Sequence, residues 1–264
     1  MLDQIIAHTR KRGEAAETAR PYAQLMKEVD GESQPYRPRS LVQSLNRCQS
    51  MAVIAEVKRA SPSKGALNMT LNPPEQAAAY EQAGAAAISV LTEPAFFKGK
   101  EADLLAVRQR VSCPVLRKDF LLTPYQLLES RWLQADVVLL IAAALPGRQL
   151  ATMHRLAMDL GLQCLLEVHG EEEVAQVLDL PLRQEADVIG INNRNLRTFQ
   201  VSLETTRRLR PLMPAEMLCI SESGITTPQE VTMLQNIDIQ GILVGEALVT
   251  ARDPRQKLAW LVGT

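Results

Sequence analysis

The stretch Val53-Ile54-Ala55-Glu56-Val57-Lys58-Arg59-Ala60-Ser61-Pro62-Ser63-Lys64-Gly65 decides how the chain is read. It opens as a buried strand, and Glu56 and Lys58, two residues apart, then point to the same side. Their neighbours Val53, Ile54 and Val57 are apolar, so the two charges sit at the end of an otherwise buried element. A charge there must be paired or put to use, because an unpaired buried ion is too costly to keep. The loop that follows, Ser61-Pro62-Ser63-Lys64-Gly65, is polar and held by Pro and Gly.

Working outward, apolar β-rich runs recur at 52–57, 86–91, 114–117, 136–141, 163–168, 187–191, 217–221 and 241–244. Their spacing of roughly 25 residues is that of one βα unit. Continuous rather than alternating apolarity points to a parallel sheet covered on both faces. Helix signals stand between the runs. Asn72-Pro73 is a cap followed by Pro, Thr123-Pro124-Tyr125-Gln126 and Thr227-Pro228-Gln229-Glu230 are capping boxes, Asp253-Pro254 opens a last helix, and Gly84 and Gly161 are stops. Acids at Glu171, Glu172 and Glu173 suit a first helical turn. Eight such units predict an α/β fold, a (β/α)8 barrel, with a doubly wound sheet as the alternative. Residues 1–48 lack this rhythm and read as a helical extension packed on a barrel of residues 49–264, within one structural domain. Helix is expected from Met1 to Lys27, with Leu2, Ile5 and Ile6 forming one apolar turn and Pro21 either kinking it or starting a second helix, and residues 35–39 form an extended linker.

The chain of 264 residues has 46% hydrophobic and 22% charged side chains, enough for one large globular domain. A net charge of −1 gives no reason to expect nucleic acid or an anionic membrane surface. Cys48, Cys113, Cys164 and Cys219 form no C-x-x-C pair, which fits a reducing cytoplasm. No apolar run reaches membrane-spanning length and no secretory signal opens the chain. His8, His154 and His169 show no ligand spacing, so neither a metal nor another cofactor is expected. His169, just past Glu167, reads as either a group supporting that carboxylate or, the preferred reading, a solvent-facing loop histidine, and Arg10-Lys11-Arg12 as a solvated helix face.

In a barrel the active site lies at the carboxyl ends of the strands. Those ends carry Glu56 and Lys58, Thr92-Glu93 followed by Phe96-Phe97, Lys118 with Phe120, Glu167 with His169, Asn192 to Asn195, Glu222-Ser223-Gly224 and Leu243-Val244-Gly245-Glu246; only the fourth strand is purely apolar. Small residues after strands seven and eight suit a phosphate held by loop amides. Lys118 shares an alternation face with Leu116 and Phe120, while Arg117 and Asp119 face the other way.

These blocks resemble the indole-3-glycerol phosphate synthase family over nearly the whole chain: Ile54-Ala55-Glu56-Val57-Lys58 through Gly65, Ile88 to Glu93, Leu116 to Phe120, Gly190 to Arg194, Glu222 to Ile225 and Leu243 to Glu246. Asn195 stands where the family usually has Asp, and Asn72 where an Asp cap is more usual. With eight units read, the isomerase fused to some relatives is not expected here. The resemblance implies ring closure of 1-(2-carboxyphenylamino)-1-deoxyribulose 5-phosphate with loss of CO2 and water. It implies a catalytic set of Glu56, Lys58, Lys118, Glu167, Asn192 and Glu222. Lys118 would protonate the developing alkoxide, and its ammonium is expected to titrate somewhat low through partial desolvation and Lys58, with Glu56 opposing the shift. Ser61 and Arg194 would orient polar groups, Phe97 and Phe120 would pack on the aromatic ring, and Ser223, Gly224, Leu243, Gly245 and Glu246 would line the phosphate end. The partner is a small phosphorylated substrate, and the protein a monomer or weak homo-oligomer. Two rival readings stay open: a Schiff-base aldolase using Lys58 or Lys118, and a silent barrel that only binds a phosphorylated ligand.

Overall fold

The computed structural model describes residues 2–31 and 36–263; Met1 and Pro35, which begin the expected helix and linker, lie outside them. Eight parallel strands close into a barrel in chain order: β1 (Ala52–Val57), β2 (Ala87–Leu91), β3 (Val115–Lys118), β4 (Val137–Ile141), β5 (Gln163–Val168), β6 (Asp187–Asn192), β7 (Cys219–Glu222) and β8 (Gly241–Val244). β1 pairs with β8 to complete the ring. Every strand matches an expected run within two residues. Most differences fall at strand feet, where the Asp136 carboxylate accepts the Val115 amide in addition to its backbone bonds to Val115 and Gln163.

The caps form as their sequences dictate. Thr123 and Thr227 make reciprocal capping boxes, and Asn72 and Asp253 accept first-turn amides; such a cap stabilises a helix by about 1 kcal/mol. Outward from β3, Arg117 is fully buried among Glu129 at 2.7 Å, Ser130 and the Gln126 carbonyl. Removing one partner of such a buried ion costs about 3–5 kcal/mol, so this cluster locks β3 to the helix Pro124–Trp132.

Pro21 starts a second helix rather than kinking the first: α1 is Leu2–Ala19 and α2 is Tyr22–Asp30. Ile5, Thr9 and Gly13 form the buried side of α1. The same phase turns Arg12 inward, where it meets buried Asp119 at 2.8 Å, so the Arg10-Lys11-Arg12 run is not wholly solvated as expected. α2 buries Leu25 and Val29 against Tyr125 and Leu128. α3 (Leu41–Asn46), capped by Ser40, seats Leu45 near Gly241 at the foot of the barrel. Among the described residues, no helix is long and apolar enough to cross a membrane.

Candidate active site

The carboxyl ends of the strands and the loops beyond them enclose a cavity of about 760 Å³. All the site residues singled out in the sequence line it: Glu56, Lys58, Ser61, Phe97, Lys118, Phe120, Glu167, Asn192, Arg194, Glu222, Ser223, Gly224, Leu243, Gly245 and Glu246. The cause is strand alternation together with register. Glu56 pairs laterally with Ser89, Leu91 with Lys118, Ile141 with Glu167, and Asn192 with Glu222, so the inward positions converge at one end.

At the centre lies Lys118. Its Nζ is 2.9 Å from Glu222 Oε2 and 3.3 Å from Glu167 Oε2. Burial alone would lower its pKa, but Glu222, Glu167 and Glu56 together hold it above the ordinary lysine value. This corrects the expected downward shift: three carboxylates converge on a group that the sequence placed beside one.

Burial pushes Glu222 up to about 7 against the opposing pull of Lys118. Glu167 goes the other way. Burial would raise it, but Lys118, His169 and Asn192 hold it well below the carboxylate range. Asn192 accepts the Arg194 amide at 3.0 Å through Oδ1, which leaves its side-chain N–H groups for Glu167. Two adjacent acids are thereby driven apart, one ionised and one able to keep a proton near neutral pH.

Lys58 and Glu56 form a second pair at 2.6 Å, both largely buried. Gly245 makes room for it, because a Cβ at that position would stand 2.2 Å from Glu56 Oε1. Gly190 serves Glu222 in the same way, at 2.3 Å. Gly245→Ala should therefore displace Glu56 and lower kcat/KM by about 10²-fold, the usual result of a catalytic group misplaced by an ångström. Gly170→Ala, which meets nothing within 4 Å, is the control. Equal steady-state constants for the two variants would refute the steric argument.

Phe97 and Phe120 form one wall, ring centroids 6.5 Å apart, and Leu139 and Ile141 of the apolar fourth strand form part of another. Buried Glu93 sets the Phe97 wall: its carboxylate accepts the amides of Ala95, Phe96 and Phe97. Ser61, buried, and Gly65 lie on a short hairpin, Ala60–Ser61 with Gly65–Ala66, that the sequence showed only as a polar loop. Arg194 donates to Ser63 and to the Phe199 carbonyl. Ser223 and Gly224 both have positive φ, 69° and 81°, and Asn193 braces this turn by donating to the Glu222 and Ser223 carbonyls. Gly245 precedes the one-turn helix Glu246–Val249. Asn195 accepts the amides of Arg197 and Thr198, a task an Asp carboxylate performs equally well.

Sequence reasoning missed three contributors. Leu2 and Ile5 of α1 line the cavity, and only the apolar turn at the start of the chain hinted at them. His169, expected in solvent, is only 12% exposed and packs between Glu167 and Glu173; Glu173, four residues on, was the available signal. Away from the cavity, the donor atoms of His154, Cys164 and Asp187 lie within 4.8 Å of one another. Asp187 there accepts the Arg183 amide and lies 3.1 Å from His154 Nε2.

A closed (β/α)8 barrel with ammonium and carboxylate groups meeting in an aromatic-walled cavity at its strand ends defines a barrel enzyme of acid–base chemistry. Structural relatives agree on the fold: KGPDC from Streptococcus mutans has a TM-score of 0.60 at 11% identity, covering 81% of this chain and 96% of that one. Thiamine phosphate pyrophosphorylase from Pyrococcus furiosus likewise reaches 0.60 at 18% identity, covering 84% and 95%. The family model described as indole-3-glycerol phosphate synthase matches residues 2–261. The chain is 42% identical over 262 residues to the protein of that name from Bordetella pertussis, covering 99% of this chain and 98% of that one. It is 47% identical over 225 residues to that from Acinetobacter baylyi, covering 85% and 82%. The chain belongs to the indole-3-glycerol phosphate synthase family, carbon–carbon lyases of tryptophan biosynthesis.

Proposed function

We propose that the cavity divides the family's reaction among Lys118, Glu167 and the Lys58–Glu56 pair. The reaction closes the indole ring of 1-(2-carboxyphenylamino)-1-deoxyribulose 5-phosphate and releases CO2 and water. The observation that carries the division is Lys118 Nζ bridging Glu167 and Glu222 on the inner face of β3. As the ring carbon attacks the ketone, Lys118 gives a proton to the oxygen. A raised lysine pKa still permits this, because a developing alkoxide is the stronger base. Loss of CO2 then restores the aromatic ring. Once Lys118 has given up its proton, Glu167 loses one of its cationic neighbours, and its proton affinity rises. It then takes the proton whose removal accompanies loss of hydroxide, while Lys58, the second ammonium opening on the cavity, protonates the departing oxygen. Glu222 holds Lys118 in place from the other side.

Phe97 and Phe120 pack on the aromatic ring in this reading, and Ser61, Asn192 and Arg194 orient the substrate's polar groups. The turn at Ser223-Gly224 and the amides after Gly245 and Glu246, beside Leu243, receive the phosphate. Residues 1–48 act as an extension of the barrel of residues 49–264 and close its mouth; Leu2 and Ile5 in the cavity wall support this. The free thiols support a cytoplasmic enzyme, and it acts as a monomer or weak homo-oligomer in this reading. A Schiff-base route through Lys118 is disfavoured because a nucleophilic lysine must be neutral, and Lys118 is held charged.

Indole fluorescence appearing when the pure protein meets the substrate tests the reaction, and its absence would refute it. For the phosphate end, inorganic phosphate or sulfate should inhibit competitively, and a dephosphorylated substrate should bind at least tenfold more weakly. Equal affinities for the two substrates would remove that site.

A further inference from the structure

Glu167 has two oxygens, and only Oε2 faces Lys118. Its Oε1 lies 3.3 Å from His169 Nε2. On the other edge of the ring, His169 Nδ1 lies 3.1 Å from Glu173 Oε2, and that same oxygen accepts the His169 backbone amide at 2.8 Å. The local sequence builds this. Glu173 stands in the first turn of the helix Glu171–Leu178, four residues after His169, so the chain folds the carboxylate back over the residue that leaves β5.

A neutral imidazole carries one N–H and can donate to one carboxylate only. Here Nδ1 is hydrogen-bonded to Glu173, while Nε2 lies 3.3 Å from Glu167 Oε1 as an ion-pair contact outside hydrogen-bond geometry; with a carboxylate on each edge, the imidazolium is the form that suits both. We infer that His169, kept as a cation by Glu173, is a positioning residue that holds Glu167 ionised and fixes its Oε2 toward Lys118 and the cavity. The inference rests on Glu167 as the base of the reaction proposed above.

The charged groups around the pair come from every neighbouring element. Lys118 on β3 favours the Glu167 anion, Glu222 on β7 opposes it, and Asn192 on β6 donates to it. Glu56 on β1 acts through Lys118. On the helix, Glu171 is turned away to Arg208. Burial would lower the His169 pKa, but Glu167 and Glu173 outweigh it and raise it to about 10.

The test begins with NMR of the His169 imidazole nitrogens across pH. The wild-type ring should stay protonated to about pH 9, and in Glu173→Gln its titration should fall by about one unit or more, one carboxylate partner being lost. The kinetic arm uses His169→Gln, which keeps a donor but removes the charge. Without its second cation Glu167 binds protons more readily, so the acid limb of kcat/KM should move up by about one pH unit. The activity lost should be confined to the acid side of the profile and return as pH rises. A merely structural histidine would change thermal stability and leave the profile in place. The inference is overturned if the wild-type ring titrates near the ordinary histidine value of about 6.5, or if the His169→Gln and wild-type profiles superimpose. The NMR arm needs no turnover, so a failure of the reaction assignment shows separately, as wild-type protein that forms no indole.

Discussion

Lys118→Met is expected to lower kcat by roughly 10²–10⁴-fold, the usual cost of losing an acid catalyst, while the substrate still binds within about tenfold. Methionine keeps much of the length of the lysine side chain and removes the proton and the charge. The carboxylates of Glu167 and Glu222 stand 3.3 and 2.9 Å from the missing ammonium, and with no cation between them they cannot all stay ionised in a buried site. Glu222 already sits at about 7 with Lys118 present, so it is the first to take up a proton in the variant. Substrate titration on the inactive variant, set beside single-turnover rates, separates an acid from an anchor. A large rise in Kd with a near-normal chemical step would defeat the acid role.

Glu167→Gln should cost a comparable 10²–10⁴-fold in the formation of indole, but at a later step. Glutamine keeps the shape and a hydrogen-bonding head and cannot accept a proton at neutral pH. If Glu167 serves dehydration, the first turnover should still release CO2 while the indole chromophore lags behind. CO2 and indole falling together would instead assign the residue to ring closure. The variant also has a signature in stability. The folded state holds Glu167 below its ordinary carboxylate value, so this ionisation favours folding above the unfolded pKa of roughly 4.3. That contribution is lost as pH falls toward the lower folded value. The wild-type advantage from this group over Glu167→Gln should therefore shrink as pH drops below about 4.

The chain announced the barrel through local physics. Continuous apolar strands, capping boxes at Thr123 and Thr227 and glycine stops at Gly84 and Gly161 act within a few residues of themselves, and each formed as written. The site residues were legible for a related reason. Alternation on a strand settles which side chains look inward, so Lys118 could be separated from Arg117 and Asp119 before any fold was known. Arg12 was misread because its partner, Asp119, lies 107 residues away and on another element. The hairpin at Ala60–Ser61 escaped notice because strands of two residues leave no period to see.

What the sequence determined by itself was therefore the element order, the barrel and the set of groups available at its mouth. Only the tertiary structure decided how those groups divide protons. Lys118 rises instead of falling because three carboxylates from three other strands converge on it, and Glu167 and Glu222 part in opposite directions because the His169 ring and the Asn192 side chain favour the Glu167 anion, while burial dominates at Glu222. A pKa depends on burial and on charges within a few ångströms, and in a closed barrel those neighbours come from strands far apart in the chain.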